Sequence, residues 1–315
     1  MNVAALAECE LPDRAQALET FESSFTYPLG VHQRFGIRHS PDYLRFFRAM
    51  GEAQSFIAIE QGCIVGAIAV ALRRLLNPDG QSLPVAYFGD LKIIPEARGG
   101  RTFIELTRRA SRWVLERSSV AFSIVMEGTT LTPEHYTGRA GLPAFTELAK
   151  LAVIRVPNEP CVPTLEALIT TDLETHANLF HKLSAGRYAT PVLAPHMRSS
   201  ATPLPFVLAD GSACGLVEDT RLAKRLVVAD GTELASAHLS QFAYRDAVAG
   251  AKLVHAARWH AARLGLPALF FAVYQPDAPA LLAALAIEHP TIAAATVYGV
   301  GLPGGAGWNI NTSEI

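Results

Sequence analysis

Two arginines flank a pair of glycines at Arg98-Gly99-Gly100-Arg101, directly after one apolar run and directly before another with helical spacing. The full stretch, Tyr87-Phe-Gly-Asp-Leu-Lys-Ile-Ile-Pro-Glu-Ala-Arg-Gly-Gly-Arg-Thr-Phe-Ile-Glu-Leu106, reads as a strand, a proline stop, a short loop and the first turns of a helix. Such a turn exposes N–H groups at the positive end of a helix dipole, which suits a phosphate or pyrophosphate. Gly99 and Gly100 let the backbone approach that group, and Arg98 and Arg101 offer charge-assisted contacts. The plain reading of the same residues is a strand-to-helix turn with two solvent-facing arginines.

Other chemistry-bearing residues point elsewhere. The pairs His176/His181 and His255/His260 invite a metal reading. Five-residue spacing on a helix turns the rings about 140° apart, so neither pair can share an ion, and no metal site is expected. Cys9, Cys63, Cys161 and Cys214 are far apart, with no Cys-x-x-Cys. Free thiols in a reducing cytoplasm are the expectation.

The elements that must position these residues follow from periodicity and punctuation. In the first half, 2–7 suits a strand and 13–25 a helix, and Ser40-Pro41 caps a helix over 42–50. Strands are expected at 56–59, 63–72 and 85–94, then a helix at 101–117 and a strand at 120–126. A helix near Pro133 and strands around 145 and 152–156 complete the half. The second half predicts a helix at 165–183, a hairpin at 205–209 and 213–220, and strands near 221–228 and 234–241. A helix at 246–263, a strand at 268–274, a helix at 278–286 and a strand at 293–300 follow. The Gly- and Asn-rich residues after Gly301 read as a loose tail.

The two series match each other. Ile57-Ala-Ile-Glu-Gln-Gly-Cys-Ile-Val-Gly66 aligns without a gap on Phe206-Val-Leu-Ala-Asp-Gly-Ser-Ala-Cys-Gly215. Ala110-Ser-Arg-Trp113 aligns on Ala256-Ala-Arg-Trp259, Arg117 on Arg263 and Pro133 on Pro279. Trp113 and Trp259 are expected to pack against the sheet. The prolines in Val156-Pro-Asn-Glu-Pro-Cys-Val-Pro163 mark a boundary, giving domains at 1–158 and 163–302 and a tail at 303–315.

The order α-α-β-β-β-α-β-α-β, with strand, Pro-x-x-Arg-Gly and helix at its centre, resembles the Gcn5-related N-acetyltransferase (GNAT) family, twice over nearly the whole chain. The resemblance implies an α/β (α+β) fold of two tandem GNAT-like domains, each a mixed, mainly antiparallel sheet with helices on both faces. It implies an acyl-CoA-dependent N-acyltransferase working by direct transfer, with acetyl-CoA or another acyl-CoA as co-substrate and acetyl as the group expected to be transferred. The acceptor would be an amine of a small molecule or peptide. Cofactor contacts would fall on Ile93, Ile94, Arg98, Gly99, Gly100, Arg101 and Thr102. The family pattern is Arg/Gln-x-x-Gly-x-Gly/Ala, and this chain departs from it. From Arg98, both glycine positions fail, at Arg101 and Phe103; from Ala97, Gly100 and Thr102 fall in place but the leading arginine is lost.

Transfer to an amine needs a base, and often an acid for the leaving thiolate. The resemblance suggests Asp90 or Glu127 as base and Tyr136 as acid. Each carboxylate has the plain alternative of a strand-end hydrogen bond. In the second half, Phe242-Ala-Tyr-Arg-Asp-Ala-Val has no glycine and places an acid at the helix start, which would repel a phosphate. That degenerate copy is expected to bind no CoA, and to form part of the acceptor pocket or an internal pseudo-dimer. A non-catalytic or weakly catalytic ligand-binding or regulatory protein is the alternative.

With 315 residues, half of them hydrophobic and a net charge of −2, the chain fits a globular protein of two domains. A near-neutral balance gives no bulk electrostatic case for nucleic acid or an anionic membrane. The most apolar run, 281–287, is too short to span a bilayer, and the first ten residues lack a basic n-region. A cytoplasmic protein is expected, either a monomer with an internal pseudo-dimer or a homodimer.

Overall fold

Near-continuous apolar runs make strands the commonest regular element of the chain, and small residues decide where helices lie on them. The structure is a computed structural model that describes residues 1–9, 11, 13–29, 33–39, 41–129, 131–138, 142–158 and 168–315. Ser40 of the expected cap, Gly141, Cys161 and the prolines at 160 and 163 lie outside the described residues.

The first half contains β1 (Asn2–Ala5), α1 (Arg14–Ser23), β2 (Tyr27–Leu29), β3 (Gln33–Arg38), α2 (Tyr43–Arg48), β4 (Glu52–Glu60), β5 (Cys63–Leu76) and β6 (Ser82–Ile93). It continues through α3 (Arg101–Leu115), β7 (Ala121–Met126), α4 (Pro133–Tyr136) and β8 (Thr146–Pro157). The second half contains β9 (Leu168–Thr170), α5 (Leu173–Leu183), β10 (Arg187–Ala189), β11 (Leu204–Leu208), β12 (Ala213–Glu218), β13 (Arg225–Val228) and β14 (Ala237–Tyr244). It ends with α6 (Ala247–Arg263), β15 (Ala268–Tyr274), α7 (Ala278–Leu285), β16 (Thr291–Val300) and β17 (Gly307–Asn309).

One sheet runs through both halves in the order β1-β4-β5-β6-β7-β16-β8-β15-β14-β12-β11-β9. It is mixed and mainly antiparallel; among the described residues the parallel pairs are β6/β7, β14/β15 and β10/β17. The closing strand of each half crosses to the other: β16 lies against β7, and β8 against β15. Sequence order alone put each strand in its own half. β8 is buried along most of its length, so it needs strands on both edges and apolar cover on both faces, which only the middle of a shared sheet provides.

Helices cover both faces. Leu106, Ala110 and Val114 recur at i, i+4 and i+8 on α3 and are buried against β5 and β7. Gly66 lets α3 approach: a Cβ there would stand 2.9 Å from Leu106 Cδ1. Gly215 does the same on β12, where a Cβ would stand 3.0 Å from Leu253 Cδ2 of α6. The matching Leu106/Leu253 contacts set the two helices one residue out of step with the Ala110/Ala256 alignment. Trp113 and Trp259 are half-buried, Trp113 packs against the core cluster under α3, and Arg117 and Arg263 stack on the two rings at 4.8 and 4.9 Å.

Two expectations are corrected. The tail at 303–315 is not loose: Trp308, Asn311, Thr312, Ser313 and Glu314 are all buried. Its polar side chains find partners in the centre of the molecule, which composition cannot reveal. Residues 27–29 and 33–38, given no element from sequence, form β2 and β3, which join β13 in a separate three-stranded sheet.

Candidate active site

The parallel pairing of β6 with β7 stops early. Ala86, Tyr87 and Phe88 pair with Ala121, Phe122 and Ser123, and beyond them the strands part. The cause is local: between Gly89 and Lys92, β6 advances three residues while β5 advances two, a β-bulge. Asp90 sits in it with φ 55°, a left-handed conformation that aspartate tolerates better than most residues. At the apex of the V, the Ser123 hydroxyl is buried and has no hydrogen-bond partner among the described residues.

The glycine turn lies at one rim of this gap. Gly99 adopts φ 77°, and Gly100 is the N-cap of α3 with no side-chain cap bond. The first N–H groups of α3 are therefore open. In contrast, the Asp246 side chain accepts from Ala249 N at the start of α6. Arg98 donates from Nε to the Ile93 carbonyl at 3.1 Å, which holds its guanidinium beside the turn.

A cavity of about 1020 Å³ occupies the gap. Arg98, Gly99, Gly100, Phe103 and Thr107 line it on the α3 side. Tyr27, His39 and Phe46, with Lys224, His238, Phe270 and Thr312 from the second half, line it on the other. Both halves thus build one chamber.

Of the cofactor residues expected from sequence, Ile93, Arg98, Gly99 and Gly100 lie on the cavity wall. Ile94 is half-buried beside it, bonded through its N–H to the Val65 carbonyl. Arg101 projects to solvent near Glu105. Thr102 is buried the other way, with Oγ1 3.0 Å from Met1 Sδ.

Of the acid–base residues, Asp90 and Tyr136 line the cavity. Glu127 is exposed and is not on its wall. Both Asp90 oxygens are engaged: Oδ1 with Lys92 Nζ at 2.8 Å, and Oδ2 with the Tyr43 hydroxyl at 2.6 Å. Burial alone would raise its pKa, but Lys92, then His39, with these bonds, outweigh it and hold the carboxyl at about 2. His39 Nδ1 lies 2.6 Å from Glu22 Oε1. Glu22, His39 and Asp90 are close enough together to share an ion, but the Lys92 ammonium already stands against both carboxylates. Burial pushes the Tyr136 hydroxyl up to about 12, so it stays protonated, and its ring rests edge-on against Phe103 at 5.1 Å.

Sequence reasoning missed Lys224. It is buried on the cavity wall, and its Nζ donates to the main-chain oxygens of Thr312 at 3.2 Å and Ile315 at 2.7 Å. Burial, then Arg198, brings its pKa down to about 7, against the opposing pull of Glu314, Glu218 and Asp90. A lone lysine in Leu222-Ala-Lys-Arg225 carries no local signal of this.

The second half repeats the splay and fills it. β14 pairs with β15 only at Ala237 and His238, and Gln241, in its own bulge, has φ 46°. The C-terminal segment occupies that place. Asn311 Oδ1 accepts from Gln241 N at 2.7 Å, the Ser313 and Ser240 hydroxyls meet at 2.7 Å, and His238 Nδ1 meets Thr312 Oγ1 at 3.1 Å.

No family model matches the sequence, and no curated protein matches it. Among solved structures, Saccharomyces cerevisiae N-myristoyltransferase with bound myristoyl-CoA is similar over 99% of this chain and 87% of its own, at 11% identity and TM-score 0.63. The same enzyme with myristoyl-CoA and inhibitors covers 100% and 83%, at 10% identity and TM-score 0.64. A GCN5-related N-acetyltransferase from Anabaena variabilis ATCC 29413 covers 82% and 64%, at 14% identity and TM-score 0.48. The likeness to the N-myristoyltransferase structures gives this chain a two-lobed GNAT-type fold. Fold does not decide chemistry, which rests on the residues.

Proposed function

We propose that the chain is an acyl-CoA-dependent N-acyltransferase working by direct transfer. The observation that carries this is the cavity threading the β6/β7 gap, with an uncapped glycine turn at one rim and a chamber built by both halves at the other. The pyrophosphate would sit on the open N–H groups of α3, held by Arg98. The pantetheine arm would lie between the parted strands, whose main-chain groups lack each other as partners, and Ser123 would donate to one of its carbonyls. Asp90 and Leu91, without register partners on β5, offer main-chain N–H groups for the oxyanion. Tyr136, always protonated, would donate to the departing thiolate.

The acceptor is an amine of a small molecule or peptide, entering from the side lined by the second half. We propose an acyl chain longer than acetyl, supported by apolar walls at Ile104, Val114, Ala121 and Val300 and by the myristoyl-CoA bound in the similar structures. The second lobe is assigned no CoA, since its gap is filled and its helix start is capped by Asp246.

Thiol release from acyl-CoAs ranging from acetyl to myristoyl, with glycinamide as acceptor, tests this reading. Release should require both substrates and should favour the longer chains. Gly100→Leu should weaken acyl-CoA binding by about tenfold or more, while Arg245→Ala in the corresponding turn leaves it unchanged. No release with any thioester would count against turnover. A binding protein without turnover is the second reading, and one observation favours it: both carboxylates expected as bases are unsuited, Asp90 by its partners and Glu127 by its position.

A further inference from the structure

We propose that Arg155 binds an anionic group on the acceptor, so that the accepted amine carries a carboxylate or a phosphate; this rests on the acyltransferase reading above. Register sets Arg155 in line with the chamber wall. His238 of β14 pairs with Phe270 of β15, Phe270 with Arg155 of β8, and Arg155 with Thr291 of β16. Directly opposed residues share a face, so these four side chains form one row across four strands. His238, Phe270 and Thr291 line the cavity, as does Val153, two residues before Arg155 on the same face. Arg155 thus stands at the edge of the chamber floor, two strands and about 10 Å from His238.

Its guanidinium is oriented at one end and open at the other. Nε donates to Ser236 Oγ at 3.2 Å, and that hydroxyl donates onward to the Ala235 carbonyl at 2.7 Å. Cζ lies 5.8 Å over the Phe270 ring, which leans the fork along the row. Among the described residues nothing accepts from Nη1 or Nη2, and neither atom is fully buried. No Asp or Glu forms an ion pair with Arg155 among the described residues, whereas Arg73, Arg187, Arg198 and Arg221 each hold one. Arg155 is half-buried, so burial works against its charge, and no neighbouring acid offsets this. Arginine cannot shed its proton in response. An oxyanion would supply the missing counter-charge through two parallel N–H bonds.

The other cations of the wall are engaged. Lys224 spends Nζ on the main-chain oxygens of Thr312 and Ile315, and Lys92 is held by Asp90. Arg34, at the rim, donates Nε and Nη2 to Thr26. Arg98 belongs to the glycine turn, on the far side of the gap. Asp90, the one acidic side chain of the wall among the described residues, is neutralised by Lys92 and so does not turn an anionic acceptor away.

Acceptor selectivity of the full chain tests this. Thiol release from myristoyl-CoA is measured with glycyl-glutamate amide, glycyl-phosphoserine amide and the neutral glycyl-glutamine amide as acceptors. The wild-type protein should use at least one anionic peptide about tenfold better than the neutral one in kcat/KM, mainly through KM. Which anionic peptide is preferred distinguishes a carboxylate from a phosphate. Arg155→Met should bring that ratio to about one, and Arg155→Lys should keep only part of it, because the fork is lost. Arg34→Met should leave the ratio intact. Acyl-CoA affinity within about twofold of wild type shows that the variants fold. Equal use of charged and neutral peptides by the wild-type protein, or a preference that survives Arg155→Met, overturns the proposal. Calorimetric titration of the same peptides, with CoA present, separates the proposal from the reading beneath it. Arg155-dependent selectivity in binding with no thiol release would uphold the anion site and remove the transfer reaction. Thiol release without selectivity would do the reverse.

Discussion

Asp90 and Lys224 face the same chamber, and their surroundings set them in opposite ways. Asp90 is fixed in its charged form by Lys92 and Tyr43, whereas burial works against the charge of Lys224, whose Nζ donates to the main-chain oxygens of Thr312 and Ile315. The glycines at 99 and 100 were legible in sequence because a turn is a local structure, read from neighbouring residues. The proton chemistry was not, because each pKa depends on partners distant along the chain. The same rule governs His176, which is buried in α5. Burial lowers its pKa to about 4, below the unfolded value of about 6.5. Between those values the unfolded chain binds the proton and the folded chain does not, so stability falls as pH drops through that window and levels off below about 4. The shift corresponds to roughly 3 kcal/mol. His176→Leu should remove about that much of the loss between neutral and acidic pH, measured by urea unfolding at several pH values. Equal losses in both proteins would refute it.

Helices and hairpins were read well from their periodicity and caps: 13–25 and 42–50 appear as α1 and α2, and Gly66 and Gly215 mark where α3 and α6 meet the strands. What periodicity could not supply was partner choice. β8 and β16 look like the last strands of separate halves, and their exchange is settled by which neighbours bury them. The tail was misread for a related reason, since Asn311, Thr312, Ser313 and Glu314 look solvated until their partners are known. Glu314 receives Arg73 at 2.8 Å and Arg198 at 2.9 Å, deep between the halves. Arg198→Met should destabilise the protein by about 3–5 kcal/mol, because it leaves Glu218 and Glu314 buried with too little positive charge. Chemical denaturation measures this directly. A loss under about 1 kcal/mol would mean that the ion pairs do little to anchor the segment.

Across the whole molecule, the two lobes share an architecture and differ in what fills the gap. In the first lobe the gap is a cavity, beside open helix N–H groups. In the second it holds Asn311, Thr312 and Ser313, and the corresponding helix begins with an aspartate cap. The second lobe instead contributes Lys224, His238 and Phe270 to the first lobe's chamber. The glycine contrast between the two turns was visible in sequence; the filling of the second gap was not. One acyl-CoA site per chain is the central consequence. Calorimetric titration with acetyl-CoA, an intermediate-length acyl-CoA and myristoyl-CoA tests it most directly. The account predicts saturable binding of one molecule per chain, weakened by Gly100→Leu and unaffected by Arg245→Ala. No binding at high micromolar concentration, or two equivalents per chain, would contradict it.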